Sequence, residues 1–165
     1  MPPRTREVVE GAAGSSPFLA GLIAREADWL AGALNDPDAA LAAVITGATE
    51  LPLDKLSDGL RQAKRRVALL TGLADLGGVW PLETVTQALT DFADAAVDTC
   101  LRRLVGAEIA RGKIPGLGPE DAETAGGMVA LAMGKMGAGE LNYSSDIDLI
   151  MLFDESRFDD DGYDD

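Results

Sequence analysis

Residues 134–150 read Gly134-Lys-Met-Gly-Ala-Gly-Glu-Leu-Asn-Tyr-Ser-Ser-Asp-Ile-Asp-Leu-Ile150, a glycine-rich loop that runs into two aspartates one residue apart. Apolar residues flank this stretch on both sides, before Gly134 and after Asp148. These flanks predict β-strands at about residues 127–133 and 146–153, on either side of a loop at 134–145. A connection of this length is long for a hairpin, which favours a functional loop.

The two aspartates predict a metal site. Successive side chains of a strand point to opposite faces, so Asp146 and Asp148 are expected to share one face. Mg²⁺ prefers carboxylate and phosphate oxygens, and it is typically held by one or two carboxylates together with the phosphates of a substrate. Two unpaired carboxylates on a buried apolar strand would also be costly without a cation. We therefore predict that Asp146 and Asp148 bind Mg²⁺ and act in catalysis.

The glycines before the aspartates predict an anion site. Gly134, Gly137 and Gly139 permit positive φ and close approach of the backbone. Consecutive N–H groups in such a loop can form a nest for a phosphate. An anion site next to a cation site is the layout of metal-dependent nucleotidyl transfer. The alternative is an acidic surface turn, in which an Asp-x-Asp sequence is common.

Composition narrows the classes of protein. The chain has 165 residues, one cysteine (Cys100), no histidine and a net charge of −14. An internal disulfide and imidazole-dependent zinc sites are thus excluded, and nonspecific nucleic-acid binding, which needs clustered Lys and Arg, is disfavoured. The N-terminus lacks the apolar core of a signal peptide, and no apolar run approaches the length of a membrane span. We expect a cytoplasmic protein without membrane contact.

The residues before the loop predict helices. Ser16-Pro17 and Asp36-Pro37 each combine an N-cap residue with proline at the first helical position, and they predict helices that reach about residue 34 and about Thr46. Apolar side chains at steps of three and four predict further helices at about 53–76 and 81–111. The first of these also carries a basic face, which is expected to be solvated, with contact to a phosphate or to an acidic partner as the alternative. This face consists of Arg61, Lys64, Arg65 and Arg66.

Residues 134–150 resemble the signature of the glutamine synthetase adenylyltransferase family, which belongs to the polymerase-beta-like nucleotidyltransferases. Residues 60–70 and 74–80 are similar to the helical region that precedes the first nucleotidyltransferase domain of these enzymes. The resemblance covers most of residues 16–155. It implies an α+β fold, in which an N-terminal helical segment is followed by the first strands of a polymerase-beta-like nucleotidyltransferase domain, truncated in this chain.

Composition and resemblance together suggest a domain organisation. The expected parts are a disordered N-terminus (1–15), a helical region (16–112), a linker (113–126), the start of the nucleotidyltransferase domain (127–153) and an acidic disordered tail (154–165).

The resemblance also implies a function. Family members attach AMP to a tyrosine of glutamine synthetase, or remove it by phosphorolysis, and so regulate nitrogen assimilation under control of the signalling protein PII. The expected ligands are Mg²⁺ and the nucleotide ATP or ADP. Carried onto this chain, Asp146 and Asp148 would bind Mg²⁺. The residues that would approach the nucleotide are Gly134, Lys135, Gly137, Ser144 and Ser145. The roles of Glu140 and Asn142, and the direction of transfer, stay open.

One departure from the family pattern bears on activity. Polymerase-beta-like sites use a third carboxylate from a later strand, and this chain ends before such a strand could form. We therefore expect the isolated chain to have little or no catalytic activity. Two alternatives remain: a catalytically inactive helical interaction module, and another protein-modifying nucleotidyltransferase of the toxin–antitoxin type. The long helical segment argues against the latter, because its minimal members start near the glycine turn.

Overall fold

Two side-chain caps start helices where the sequence predicts them. In the computed structural model, which describes residues 2–157, the Ser16 hydroxyl accepts the Leu19 N–H at 3.2 Å. The Asp36 carboxylate accepts the Ala39 N–H at 3.0 Å. Each cap is followed by proline at the first helical position, which confirms both predicted helix starts.

The described residues form helices and a two-stranded antiparallel sheet, so the α+β fold class is confirmed. The segment expected to be one helix from residue 16 to 34 is two helices, which meet at Glu26. The helices are α1 (Pro3–Ser15), α2 (Pro17–Arg25), α3 (Ala27–Ala33), α4 (Pro37–Thr49), α5 (Leu56–Leu76), α6 (Leu82–Ala110) and the single turn α7 (Gly134–Gly137); the strands are β1 (Met128–Ala132) and β2 (Leu149–Phe153).

The N-terminal segment is helical, whereas the sequence predicts disorder. Residues 1–15 were expected to be disordered, but Pro3–Ser15 form helix α1. Ala12 is buried in a cluster with residues of α2, α3 and α5, and Val8 and Val9 pack against that cluster. The apolar side chains of this segment are too few to predict a helix by themselves, and packing against the later helices accounts for its order.

Helix α5 is the centre of the helical region. Its Leu69 and Leu73 pack with α1–α3, its Leu70 packs with α3 and α6, and its Val67 packs with α4 and α6. Leu69 has no exposed surface, and Val67 and Leu70 are 1% exposed. One helix joins these three clusters, so the helical region is a rigid support for the segments that pack on α5 and α6.

The segment expected to be a linker is partly packed. Residues 113–126 connect the helices to the sheet, and the 3₁₀ segment Pro119–Gly127, which begins within them, lies against α6. Ala125 is buried with Val105 and Ile109 of α6. This packing places β1 directly beside α6. The division into domains stays a prediction.

The sheet pairs Met128 with Phe153 at one end and Ala132 with Leu149 at the other. The second strand is shorter than predicted, because it begins at Leu149 rather than at residue 146. Beyond it, the acidic end is described only as far as residue 157, with a 3₁₀ turn at Glu155–Arg157; the rest of the expected disordered tail lies outside the described residues. None of the helices in the described part of the chain is long and apolar enough to cross a membrane.

Candidate metal and nucleotide site

The glycines of the loop have the geometry that the sequence predicts. Gly134 has φ of 57° and Gly139 has φ of 73°, a region that side chains with a Cβ rarely adopt. A Cβ on Gly137 would lie 2.4 Å from the Ala132 carbonyl oxygen. Glycine at 134 and 137 therefore suits the turn from β1 into α7, and glycine at 139 suits the turn that follows α7.

The backbone amides of the loop are largely used within it. The N–H groups of residues 137, 138, 139 and 140 donate to the carbonyls of Met133, Gly134, Met136 and Lys135 respectively. The predicted phosphate nest therefore does not include these four groups. The buried Met136 side chain anchors α7, whereas Lys135 is exposed to solvent.

Asn142 organises the two serines. Its side-chain oxygen accepts the Ser144 N–H at 3.1 Å and the Ser145 hydroxyl at 2.9 Å. The Asn142 N–H in turn donates to the Ser145 hydroxyl oxygen at 3.1 Å. Residues 142–145 thus form a closed turn, called here the serine turn. This turn gives Asn142 a structural role, which the sequence left open. It also uses the Ser145 hydroxyl in hydrogen bonds within the turn.

The helical region holds the loop at two points. The Leu141 N–H donates to the Thr90 hydroxyl of α6 at 3.3 Å, and the Leu141 side chain is buried. The Tyr143 hydroxyl donates to the Asp75 carboxylate of α5 at 3.2 Å. Burial and then the negative charge of Asp75 raise the pKa of Tyr143 to about 12, so the phenol keeps its proton at neutral pH.

Asp146 and Asp148 lie in the segment between the serine turn and β2, not inside the strand as predicted. The Asp148 carbonyl accepts the Met133 N–H at 2.9 Å, which continues the sheet pairing by one step. Asp148 is two residues before Ile150, so alternation places its side chain on the same face as Ile150. Both aspartates are exposed.

The donor chemistry of these aspartates fits Mg²⁺, since both offer hard carboxylate oxygens near a turn that can receive phosphate. Among the described residues, no group of three or more acidic or cysteine side chains is close enough together to hold a metal ion. The two aspartates are thus the part of a metal site that this stretch offers, and their coordination stays a prediction.

A cleft of about 830 Å³ separates the loop from the helices. Its loop side includes Tyr143, Ser145 and Asp146, and its helix side is formed mainly by apolar residues of α5 and α6. Arg61 and Lys64 of the basic face also line it. The other two basic residues of that face, Arg65 and Arg66, instead pair with Glu26, at 3.1 and 2.8 Å.

Sequence reasoning missed the helical residues that hold the loop, namely Thr90 and Asp75. Thr90 stands in no motif, and Asp75 lies in the segment 74–80, whose resemblance to the family gave that residue no role; their loop partners are 51 and 68 residues away along the chain. The one available signal was Tyr143 itself, an aromatic residue within an otherwise small and polar turn.

Comparison with known proteins places this chain among relatives of one family. The glutamate-ammonia ligase adenylyltransferase family matches residues 7–165. A bifunctional glutamine synthetase adenylyltransferase/adenylyl-removing enzyme of Bradyrhizobium diazoefficiens is 47% identical over 158 residues, which are 92% of this chain and 16% of the relative. The enzymes of the same name from Bradyrhizobium sp. strain ORS 278 and Caulobacter vibrioides are 48% and 43% identical, over 90% and 84% of this chain and 16% and 15% of theirs.

The chain spans about 16% of the length of the first of these relatives. No solved structure matches it. The family match extends over the helical region as well as the loop. It includes residues 60–70 and 74–80, the two helical segments whose similarity to the family is visible in the sequence. On this evidence the chain belongs to the glutamate-ammonia ligase adenylyltransferase family.

Proposed function

We propose that this chain carries the nucleotide and metal loop of an enzyme that transfers AMP to, or removes AMP from, a tyrosine of glutamine synthetase. The observation that carries the proposal is the family match over residues 7–165, which includes the whole glycine loop and both aspartates. The relatives it matches are named as bifunctional enzymes for both directions. We leave the direction open, because one metal site can serve both.

In this proposal, Asp146 and Asp148 hold Mg²⁺ against the nucleotide, ATP or ADP. The bound ion supplies positive charge to the phosphoryl oxygens. The protein's own task is positioning. The turn at Gly134, Lys135 and Gly137 faces the phosphates, and the exposed Lys135 adds a positive charge there.

The serine turn separates the roles of its two hydroxyls. The Ser145 hydroxyl both donates to and accepts from Asn142, so it has little capacity left for a ligand. The Ser144 hydroxyl lies 3.4 Å from the same side-chain oxygen, a long and weak contact. We therefore assign the phosphate contact to Ser144 and the shape of the turn to Ser145.

Metal and nucleotide binding can be tested on the 165-residue chain with Mn²⁺ as a paramagnetic probe. We expect Mn²⁺ with ADP to broaden the amide NMR signals of residues 134–148 selectively. Asp146→Asn and Asp148→Asn should each abolish this broadening, because each removes a hard anionic ligand. Asp54→Asn is the matched control, an exposed aspartate in the turn before α5.

Equal broadening in wild type and in the Asp146→Asn/Asp148→Asn double variant would refute the metal assignment. So would the absence of any selective effect at residues 134–148. Isothermal titration with Mg²⁺·ATP and Mg²⁺·ADP provides the affinity.

We further propose that the isolated chain does not turn over adenylylated glutamine synthetase, because the polymerase-beta-like sites that it resembles use a third carboxylate, which would come from outside residues 134–153. Micromolar binding of Mg²⁺·ADP together with phosphate-dependent formation of ADP from adenylylated glutamine synthetase would contradict this. Control by PII and a cytoplasmic location follow from the resemblance and the composition, and they stay predictions.

The interaction-module alternative has one observation in its favour. The cleft is lined mainly by apolar side chains, which suits the burial of a protein segment better than of a phosphate. On that alternative Asp148→Ala leaves stability and partner binding unaltered, and the Mn²⁺ experiment shows no selective broadening.

A further inference from the structure

We propose that Asp75 of α5 and Tyr143 of the loop are positioning residues, which hold the serine turn and thereby Asp146 in place for metal and nucleotide. This inference rests on the proposed function. It assigns the helical region a direct part in building the site.

The first step is the contact itself. The Tyr143 hydroxyl donates to the Asp75 carboxylate at 3.2 Å and joins the loop to the C-terminal end of α5 across 68 residues of sequence. The ring is only half-buried, so the hydrogen bond adds to burial in holding the phenol at this place. A bond from a neutral donor to a carboxylate is stronger than one between neutral groups.

The second step is that Tyr143 is one of two points at which the loop is attached to the helical region. Leu141, two residues earlier, is buried, and its N–H donates to Thr90 of α6. The loop is therefore fixed to α5 and to α6 on either side of Asn142. Because α5 and α6 pack together through the core, the two attachment points do not move independently.

The third step connects the attachment points to the aspartate. Asn142 lies between them, and its side chain holds the Ser144 N–H and the Ser145 hydroxyl. Ser145 immediately precedes Asp146, and both line the cleft together with Tyr143. Release of Tyr143 from Asp75 therefore loosens the turn that sets the direction of Asp146.

The test uses three variants of the 165-residue chain and one control. Tyr143→Phe removes only the hydroxyl, Asp75→Ala removes the acceptor, and Asp75→Asn keeps an acceptor oxygen of the same shape. Asp58→Ala is the matched control, an exposed aspartate at the other end of α5. Hydrogen exchange of amides 142–146 reports the docking of the loop, and titration with Mg²⁺·ADP reports the site.

We expect Tyr143→Phe and Asp75→Ala to speed exchange at residues 142–146 by about 3- to 10-fold, the effect of losing one net hydrogen bond. Both should weaken Mg²⁺·ADP binding by a similar factor. Asp75→Asn should keep most of the wild-type protection from exchange and most of the Mg²⁺·ADP affinity. Asp58→Ala should change neither quantity. Rescue by the amide is the result that a general loss of packing would not produce.

Three results would overturn the inference. Unchanged exchange in Tyr143→Phe and Asp75→Ala would show that the contact does not hold the loop. Faster exchange with unchanged Mg²⁺·ADP affinity would make the contact structural only. If wild type fails to bind Mg²⁺·ADP while the variants still speed exchange, the proposed function fails and the docking contact has no site to position.

Discussion

Glu26 is a buried acidic residue of the helical region. Its side chain is 4% exposed, and the guanidinium groups of Arg65 and Arg66 donate to its two oxygens at 3.1 and 2.8 Å. Arg66 also lies over the Trp29 ring at 5.1 Å. Burial opposes ionisation, but the hydrogen bonds from Arg66 and Arg65 outweigh it and lower the pKa of Glu26 below 4.5.

We predict that Glu26→Gln lowers the free energy of unfolding at pH 7 by about 3 kcal/mol, because it leaves two arginines facing a neutral amide. This value is the low end of the loss of stability that follows when a buried ion pair is broken, because both arginine side chains are partly exposed to solvent. A folded-state pKa below the unfolded value means that the pair stabilises above pH 4.5 and loses this contribution as pH falls through the folded pKa.

Urea unfolding at pH 7 and at pH 3 checks this prediction. The difference between wild type and Glu26→Gln should be largest at pH 7 and should shrink at pH 3. Glu10→Gln, at an exposed position of α1, serves as the control with no pH-dependent difference. An equal effect of Glu26→Gln at both pH values would show that the substitution acts through packing and not through the charge.

At the scale of the element, the contributions of the N-caps of α2 and α4 to the free energy of unfolding can be measured separately. Ser16→Ala and Asp36→Ala each leave an N–H of the first turn without its side-chain acceptor. We expect each to lower the free energy of unfolding by about 1 kcal/mol. Ser15→Ala is the control, because the Ser15 hydroxyl donates to the Gly11 carbonyl on an exposed part of α1. A loss no larger than that of the control would contradict the prediction.

The turn from β1 into α7 depends on Gly137. A Cβ there would lie 2.4 Å from the Ala132 carbonyl oxygen, a backbone atom that cannot move without disturbing the strand. We expect Gly137→Ala to lower the free energy of unfolding by about 1–3 kcal/mol. Gly47→Ala in α4 is the matched control, with no atom within 4 Å of the new Cβ.

The control should stabilise the protein by about 0.5–1 kcal/mol, the difference in helix propensity between the two residues. Thermal unfolding of both variants distinguishes the steric effect from the general effect of a Gly-to-Ala change. A neutral Gly137→Ala would mean that the loop shifts without cost.

At the scale of the whole molecule, the sheet presents an exposed apolar face. Val129 pairs with Leu152 and Leu131 pairs with Ile150, and these four side chains are between 44% and 52% exposed. Because they lie on one face of the sheet, they form a contiguous apolar surface, and such surfaces bind hydrophobic dyes.

We predict that wild type binds 8-anilinonaphthalene-1-sulfonate in its folded state, and that the double variant Leu131→Thr/Ile150→Thr binds much less. The helical circular dichroism should stay unchanged, because neither side chain belongs to the helical core. Leu76→Thr is the control, an exposed leucine at the end of α5 and away from the sheet. Equal dye binding by wild type and double variant would place the dye elsewhere, for example in the cleft.

Local signals predicted much of this protein. The caps at Ser16 and Asp36, the glycines of the loop, the α+β class and the family all follow from residue types at short spacing. The reason is physical: a cap or a positive φ involves atoms within about four residues of one another, so neighbouring residues suffice to specify it.

The tertiary structure decided what depends on distant residues. It ordered α1, paired Glu26 with two arginines that the sequence assigned to a solvated face, began β2 after the aspartates, and fixed the loop to Asp75 and Thr90. Each of these features joins groups far apart along the chain, and their meeting depends on the path of the whole backbone. The residues of the loop indicate the family, but the packing of α5 against α6 determines where that loop is held.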